Sequence, residues 1–203
     1  MSPLKMIEAH YADRRAKRSG VPLIAHIYDG CEIINRNYHQ ITDLKSPVSE
    51  LTNAFCLHPL IQDPEDLESN IHMVLNHLGH GYLPEILLAL EYRKLANSYL
   101  CRPSTDNYTV DTVSRLLDFY SKDALLLLYA DKVQNLSDFL IFHKGTHVRS
   151  KELEKYFNTW ISALDNRLFC GWKMSKTKPY YNHSSCKMEI VTFKDCPRTP
   201  RFY

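Results

Sequence analysis

The chain has 203 residues, 44% hydrophobic and 24% charged, with a formal net charge of +2. That length and composition predict one globular domain with a core large enough to stand without disulfide or metal staples, and so small a net charge argues neither for nor against any partner. The charge is uneven along the chain: the last 37 residues, from Arg167, carry eight Lys/Arg against two Asp/Glu, or +6, and the rest carries −4.

Lys5, Glu8, Asp13 and Arg14 interrupt the N-terminus, so no signal peptide is expected there. The longest apolar run, Ala124 to Ala130, is far shorter than the ~20 residues of a membrane span. Six irregularly spaced cysteines read as reduced thiols rather than a secreted disulfide framework. The expectation is a cytoplasmic protein with no membrane segment.

In chain order, Met6, Ile7, His10, Tyr11 and Arg14 recur at helical spacing and predict a first helix ending near Lys17. Ser19-Gly20-Val21-Pro22 is a turn, with Pro22 suited to open a second helix. That helix carries Ile24, Ile27, Cys31 and Ile34 on one face and runs to about Asn37. Ser46 and Pro47, as N-cap and first residue, start a third helix to about Ile61, with Leu51, Phe55 and His58 in one stripe; Pro64 breaks it. A long helix from Pro84 to Leu100 and another from Val110 to Tyr120 follow. Ser121 caps the next, whose run from Ala124 to Tyr129 is apolar all round and therefore central. Glu152 to Leu168 is the last helix, and beyond it helical periodicity is lost. The predicted fold is thus all-α: a bundle over residues 1–168 and an irregular, basic C-terminal extension over 169–203.

Three segments carry chemistry. The first is Arg18-Ser19-Gly20-Val21-Pro22-Leu23-Ile24-Ala25-His26, the second Ala54 to Asp63 with His58 and Pro59, and the third Tyr129-Ala130-Asp131-Lys132-Val133-Gln134-Asn135-Leu136. His26 and His58 taken singly read as satisfied core histidines. Asp131 is more informative, because an aspartate directly after seven apolar residues is expensive to bury unless a cation or donors compensate it.

Together, in this order and at these intervals, the segments resemble the hydrolase domain of the RelA/SpoT alarmone enzymes, above all the small alarmone hydrolases, over roughly residues 6 to 168. The resemblance implies an HD-domain-like bundle holding a divalent metal, usually manganese, with His26, His58 and Asp131 as ligands. It implies metal-dependent removal of the 3′ pyrophosphate from (p)ppGpp, the alarmone of the stringent response. Arg18, Ser19, Lys132 and Asn135 would bind the guanine nucleotide, and Gln62 and Asp63 stand where the family positions the attacking water. The chain departs from the family twice. The Asp of the His-Asp pair is Pro59, which offers no ligand atom, and a glutamate of the water-positioning pair is Gln62, which cannot accept a proton. A weakened hydrolase is therefore expected, the alternative being an inactive HD fold that binds a nucleotide or a protein partner.

The remaining candidates read as ordinary. His72, His77 and His80 lack the spacing of a helical metal pair and are solvated or core histidines. Cys170, His183, Cys186 and Cys196 form no compact zinc-binding unit. The tail, with Trp172, Tyr180, Tyr181 and Phe193, has the residue types of a nucleic-acid contact, and the reading preferred is a solvated surface.

Overall fold

The computed structural model describes residues 1–16, 20–62, 66–100, 109–146 and 150–169, together with the backbone of two strands at 177–182 and 187–192; for 97–100 it describes the backbone alone. Arg18, Ser19 and Asp63 lie outside the described residues, as do Cys170, His183, Cys186, Cys196, Trp172 and Phe193. The chain divides into two compact units, Met1–Phe169 and Cys170–Tyr203.

Among the described residues the first unit is an all-α bundle of eight helices: α1 Pro3–Tyr11, α2 Leu23–Tyr38, α3 Val48–Gln62, α4 Leu67–Leu78, α5 Leu83–Leu100, α6 Val110–Leu117, α7 Lys122–Asp138 and α8 Ser150–Leu168. A 3-10 turn, His80–Tyr82, leads into α5, and a π-helical turn, Phe139–His143, follows α7. No described helix is long and apolar enough to cross a membrane.

α7 is the central rod. Ala124 to Ala130 are all buried, and Ser121 caps the helix by accepting a bond from the Ala124 amide at 3.1 Å. α7 packs on α8 and α2, while α3 packs on α5 and α2. The α2–α3 contact is close because Gly30 faces Phe55: a Cβ at position 30 would lie 2.0 Å from Phe55 Cε1. That approach brings together residues one turn before Gly30 and one turn after Phe55, namely His26 and His58. Cys31 and Cys56, both free, sit with their sulfurs 3.8 Å apart across the same seam. The bond to Cys56, with burial, pushes the Cys31 thiol up.

The ends of the elements differ from expectation in instructive ways. α1 stops at Tyr11 rather than near Lys17, because Ala12 takes φ 39° and the chain turns back on itself. The return is held by Ala16 N–H to Val21 O and Leu23 N–H to Arg14 O, and Gly20 supplies the left-handed φ of 71° in the turn. α3 begins one residue later than expected. The Pro47 carbonyl takes the first helical bond, from Leu51 N–H, and the Ser46 hydroxyl donates to Glu50 at 2.7 Å instead of capping. α6 ends at Leu117, short of Tyr120. α4 has no counterpart in the sequence reading, although Leu67, Ile71, Val74 and Leu78 have helical spacing and Gly79, at φ 94°, stops it. The extension is not wholly irregular: Thr177–Asn182 (β1) pairs antiparallel with Lys187–Thr192 (β2), in a register that sets Thr177 opposite Thr192 and Asn182 opposite Lys187. The run Lys187-Met188-Glu189-Ile190-Val191-Thr192 carries the β-branched residues that favour a strand, and Pro179 is tolerated because a two-stranded ribbon consists of edges.

Candidate metal centre

Three helices each deliver one donor to a single point in the bundle. His26 comes from the first turn of α2, His58 from just before the last turn of α3, and Asp131 from the middle of α7, and their ligand atoms all lie within 4.8 Å of one another. Among the described residues this is the one such group of three His, Cys, Asp or Glu side chains. His58 and Asp131 are buried, while His26 leaves 22% of its side chain exposed and so forms the edge nearest solvent.

Both histidines are oriented by what binds Nδ1. The Nδ1 of His26 lies 2.5 Å from Gln134 Oε1, and Gln134 is itself fixed by donating through Nε2 to Asp138 at 2.9 Å. The Nδ1 of His58 lies 2.6 Å from the Phe55 carbonyl. Amide and carbonyl oxygens only accept, so each Nδ1 carries a proton and each Nε2 is left facing the cluster. Outer partners of this kind set the tautomer and angle of metal-binding imidazoles.

Asp131 is densely partnered. Its Oδ1 accepts from Asn135 Nδ2 at 2.8 Å and lies 3.4 Å from His26 Nε2, and its Oδ2 accepts from Lys132 Nζ at 2.9 Å. Lys132 is as buried as Asp131, with its ammonium 5.7 Å from the centroid of the Tyr156 ring. Rings close the pocket: His58 stands 4.6 Å from Phe55 and 5.1 Å from Tyr92 between centroids.

Burial and charge act oppositely on these groups. Burial favours the neutral acid at Asp131, yet the Lys132 charge and the bond to His26 hold its carboxyl well below the usual range. Burial would lower His26, but Asp131 and the Gln134 bond outweigh it and raise the imidazole. For His58 burial prevails, helped by the charge of His26, and the ring is pushed down to about 4. Burial likewise raises Tyr92, with the Asp131 charge adding to it. The two histidines are therefore distinct: one is readily charged against Asp131 and the other is held neutral.

Two imidazole nitrogens and a carboxylate oxygen suit a borderline divalent ion. Donors around a tetrahedral ion at ~2.1 Å are ~3.4 Å apart, and the donors here, within 4.8 Å of one another, reach that spacing when the side chains draw in by about 1 Å. The residue types and spacing fit a three-ligand site.

Of the other candidate residues, Gln62 closes α3 one turn beyond His58 and is half-buried. Lys132 and Asn135, assigned by resemblance to the nucleotide, both bond Asp131. His72, His77 and His80 are all exposed. The sequence reading did not single out Gln134, Asp138, Tyr92, Tyr156 or the Phe55 carbonyl. Gln134 had a usable signal, since a polar residue three positions after Asp131 returns to the same helix face. The Phe55 carbonyl had one too, in the proline four residues on. Comparison with known proteins returns no match among family models, curated proteins or solved structures.

Proposed function

We propose that the bundle is a divalent-metal-dependent nucleotide phosphohydrolase whose hydrolytic rate is reduced, acting on guanine nucleotides that carry a 3′ pyrophosphate. The observation that carries this reading is the convergence of His26, His58 and Asp131 from three helices, their ligand atoms within 4.8 Å of one another and the Nδ1 atoms of both rings held by oxygen acceptors. The order of the three sequence segments, which resembles the alarmone hydrolases, supplies the substrate class. A divalent ion held by these residues, manganese by that resemblance, would contribute Lewis-acid charge to a phosphate oxygen and a lowered pKa to water.

The chain's own residues account for the reduced rate. Pro59 contributes no ligand, and Gln62 can orient water through its amide but cannot take the proton. Removing single groups that stabilise transition-state charge commonly costs ~10²–10³ in rate. The test is metal analysis of the purified protein, then an alarmone-hydrolysis assay with added manganese. Weak, manganese-dependent release of pyrophosphate is expected, and Pro59→Asp with Gln62→Glu should raise manganese affinity and hydrolysis in parallel. If the wild type already turns over at a rate the double substitution leaves unchanged, the active site lies elsewhere.

A second reading is favoured by one observation, the Lys132 ammonium 2.9 Å from Asp131. That contact already neutralises the carboxylate, which suits a fold that binds a nucleotide or protein partner without turnover. Nucleotide binding by calorimetry, with no product at any manganese concentration, would select this reading. Arg18→Ala should weaken nucleotide binding roughly ten- to a hundredfold under either reading, the value of a charged phosphate contact of ~1.5–3 kcal/mol.

A further inference from the structure

Pro59 lies inside α3, four residues after Phe55. In an α-helix the amide of residue 59 would donate to the carbonyl of residue 55. Proline has no amide hydrogen, so that carbonyl loses its helical donor, an expensive condition for a buried group. Phe55 is fully buried and so is removed from water. The donor that fills the gap is the neighbouring side chain: His58 Nδ1, 2.6 Å from Phe55 O.

We propose that Pro59 is a positioning residue for the metal centre: by withholding the helical donor from Phe55 O, it recruits the His58 Nδ1–H and so directs the His58 Nε2 lone pair at Asp131 and His26. This rests on the reading of His58 as a ligand, but the geometry stands without an ion. The ring also sits between Phe55 and Tyr92, at 4.6 and 5.1 Å between centroids. These faces restrict its tilt but leave open which nitrogen is protonated, and the bond to Phe55 O decides that. The residue that removes a ligand from the family-like motif thus tightens the hold on the ligand before it.

The test compares wild type, Pro59→Ala, and a variant with L-lactate at position 59, whose backbone ester lacks both the ring and the N–H. In chelator-treated protein, long-range ¹H–¹⁵N imidazole spectra read the His58 tautomer with no metal present. Wild type and the ester variant should both show the Nδ1–H form. Pro59→Ala restores the amide donor, so it should give a mixture of tautomers and weaken cobalt(II) binding about tenfold, the lower end of what outer partners contribute. Its Tm should rise, because proline is the poorest residue in a helix interior. A role confined to packing would move stability and metal affinity in the same direction. An Nε2–H tautomer in wild type, or an unchanged tautomer and affinity in Pro59→Ala, would overturn the proposal. Failure of every variant to bind cobalt would sink the metal centre while the metal-free spectra still decide the role of Pro59.

Discussion

α7 buries two aspartates eight residues apart, and they are satisfied in opposite ways. Asp123, in the first turn, accepts the backbone amides of Lys45 and Ser46, each at 3.0 Å. Asp131, two turns on, is met almost wholly by side chains: Lys132, Asn135 and His26. Amides in the loop before α3 cannot leave without unfolding that loop, so Asp123 is a structural clamp that pins the entry of α3 to the start of α7. Side-chain partners can rotate away and be replaced by an incoming cation or ligand. A buried carboxylate is therefore a functional candidate when its partners are movable and include other ligating groups, and a structural one when they are backbone.

The sharpest break of this comparison comes from truncating each carboxylate. Asp131→Ala leaves the Lys132 ammonium buried and unpaired, which should cost about 3–5 kcal/mol by denaturant titration and abolish divalent-metal binding. Restoring neutrality with Asp131→Leu and Lys132→Met together should recover most of that stability, as apolar replacements of buried ion pairs do, but none of the metal binding. Asp123→Ala strands two amides instead. It should cost about 2–4 kcal/mol and leave metal affinity per folded molecule unchanged.

The next effect lies in the seam that positions the histidines. Gly30→Ala places a methyl group against Phe55 and should cost about 1–3 kcal/mol through overpacking, with metal affinity falling as His26 is pushed from His58. A mutant that loses stability but keeps wild-type affinity would show that the close α2–α3 approach does not set the site.

Acidity separates the histidines in metal-free protein. His58 faces His26, Asp131 and Lys132, and its folded-state value of about 4 lies below the unfolded value near 6.5. The unfolded chain therefore binds the proton first, and stability should fall as pH drops from about 6.5 to 4. His26 works the other way: its raised value contributes stability below about 6.5, which is lost as pH rises through the folded-state value. His58→Gln should flatten the acid limb by on the order of a few kcal/mol, and His26→Gln should flatten the loss of stability on the alkaline side of the unfolded value. The smallest effect is expected at His72 on α4, which is exposed and 3.9 Å from Glu68. His72→Ala should stay within about 0.5 kcal/mol of wild type, with metal binding intact.

Much of the bundle was legible in the sequence because helical periodicity and caps are local. Ser121 starts α7 as its spacing to the apolar run required, and the all-apolar run from Ala124 does lie at the centre. α4 was missed because its apolar stripe is narrow and Val74 alone is fully buried, and α1 was overrun because an alanine, not a glycine, takes the positive φ that ends it. At the site, the demand for compensation at Asp131 was legible, but the compensating cation includes the next residue, Lys132. No periodicity argument finds that pairing, since adjacent residues on a helix normally point apart. The tautomers were hidden for a related reason: they depend on a side-chain amide and a main-chain carbonyl that only the folded chain brings to the rings.

The central claim, that His26, His58 and Asp131 form one divalent-metal site, is tested most directly by calorimetric titration of manganese into chelator-stripped protein and its single-ligand variants. The account predicts one ion per wild-type chain, and its loss alike in His26→Ala, His58→Ala and Asp131→Asn, with each variant shown to be folded. Stoichiometric binding that survives any one of those substitutions at wild-type affinity would contradict it.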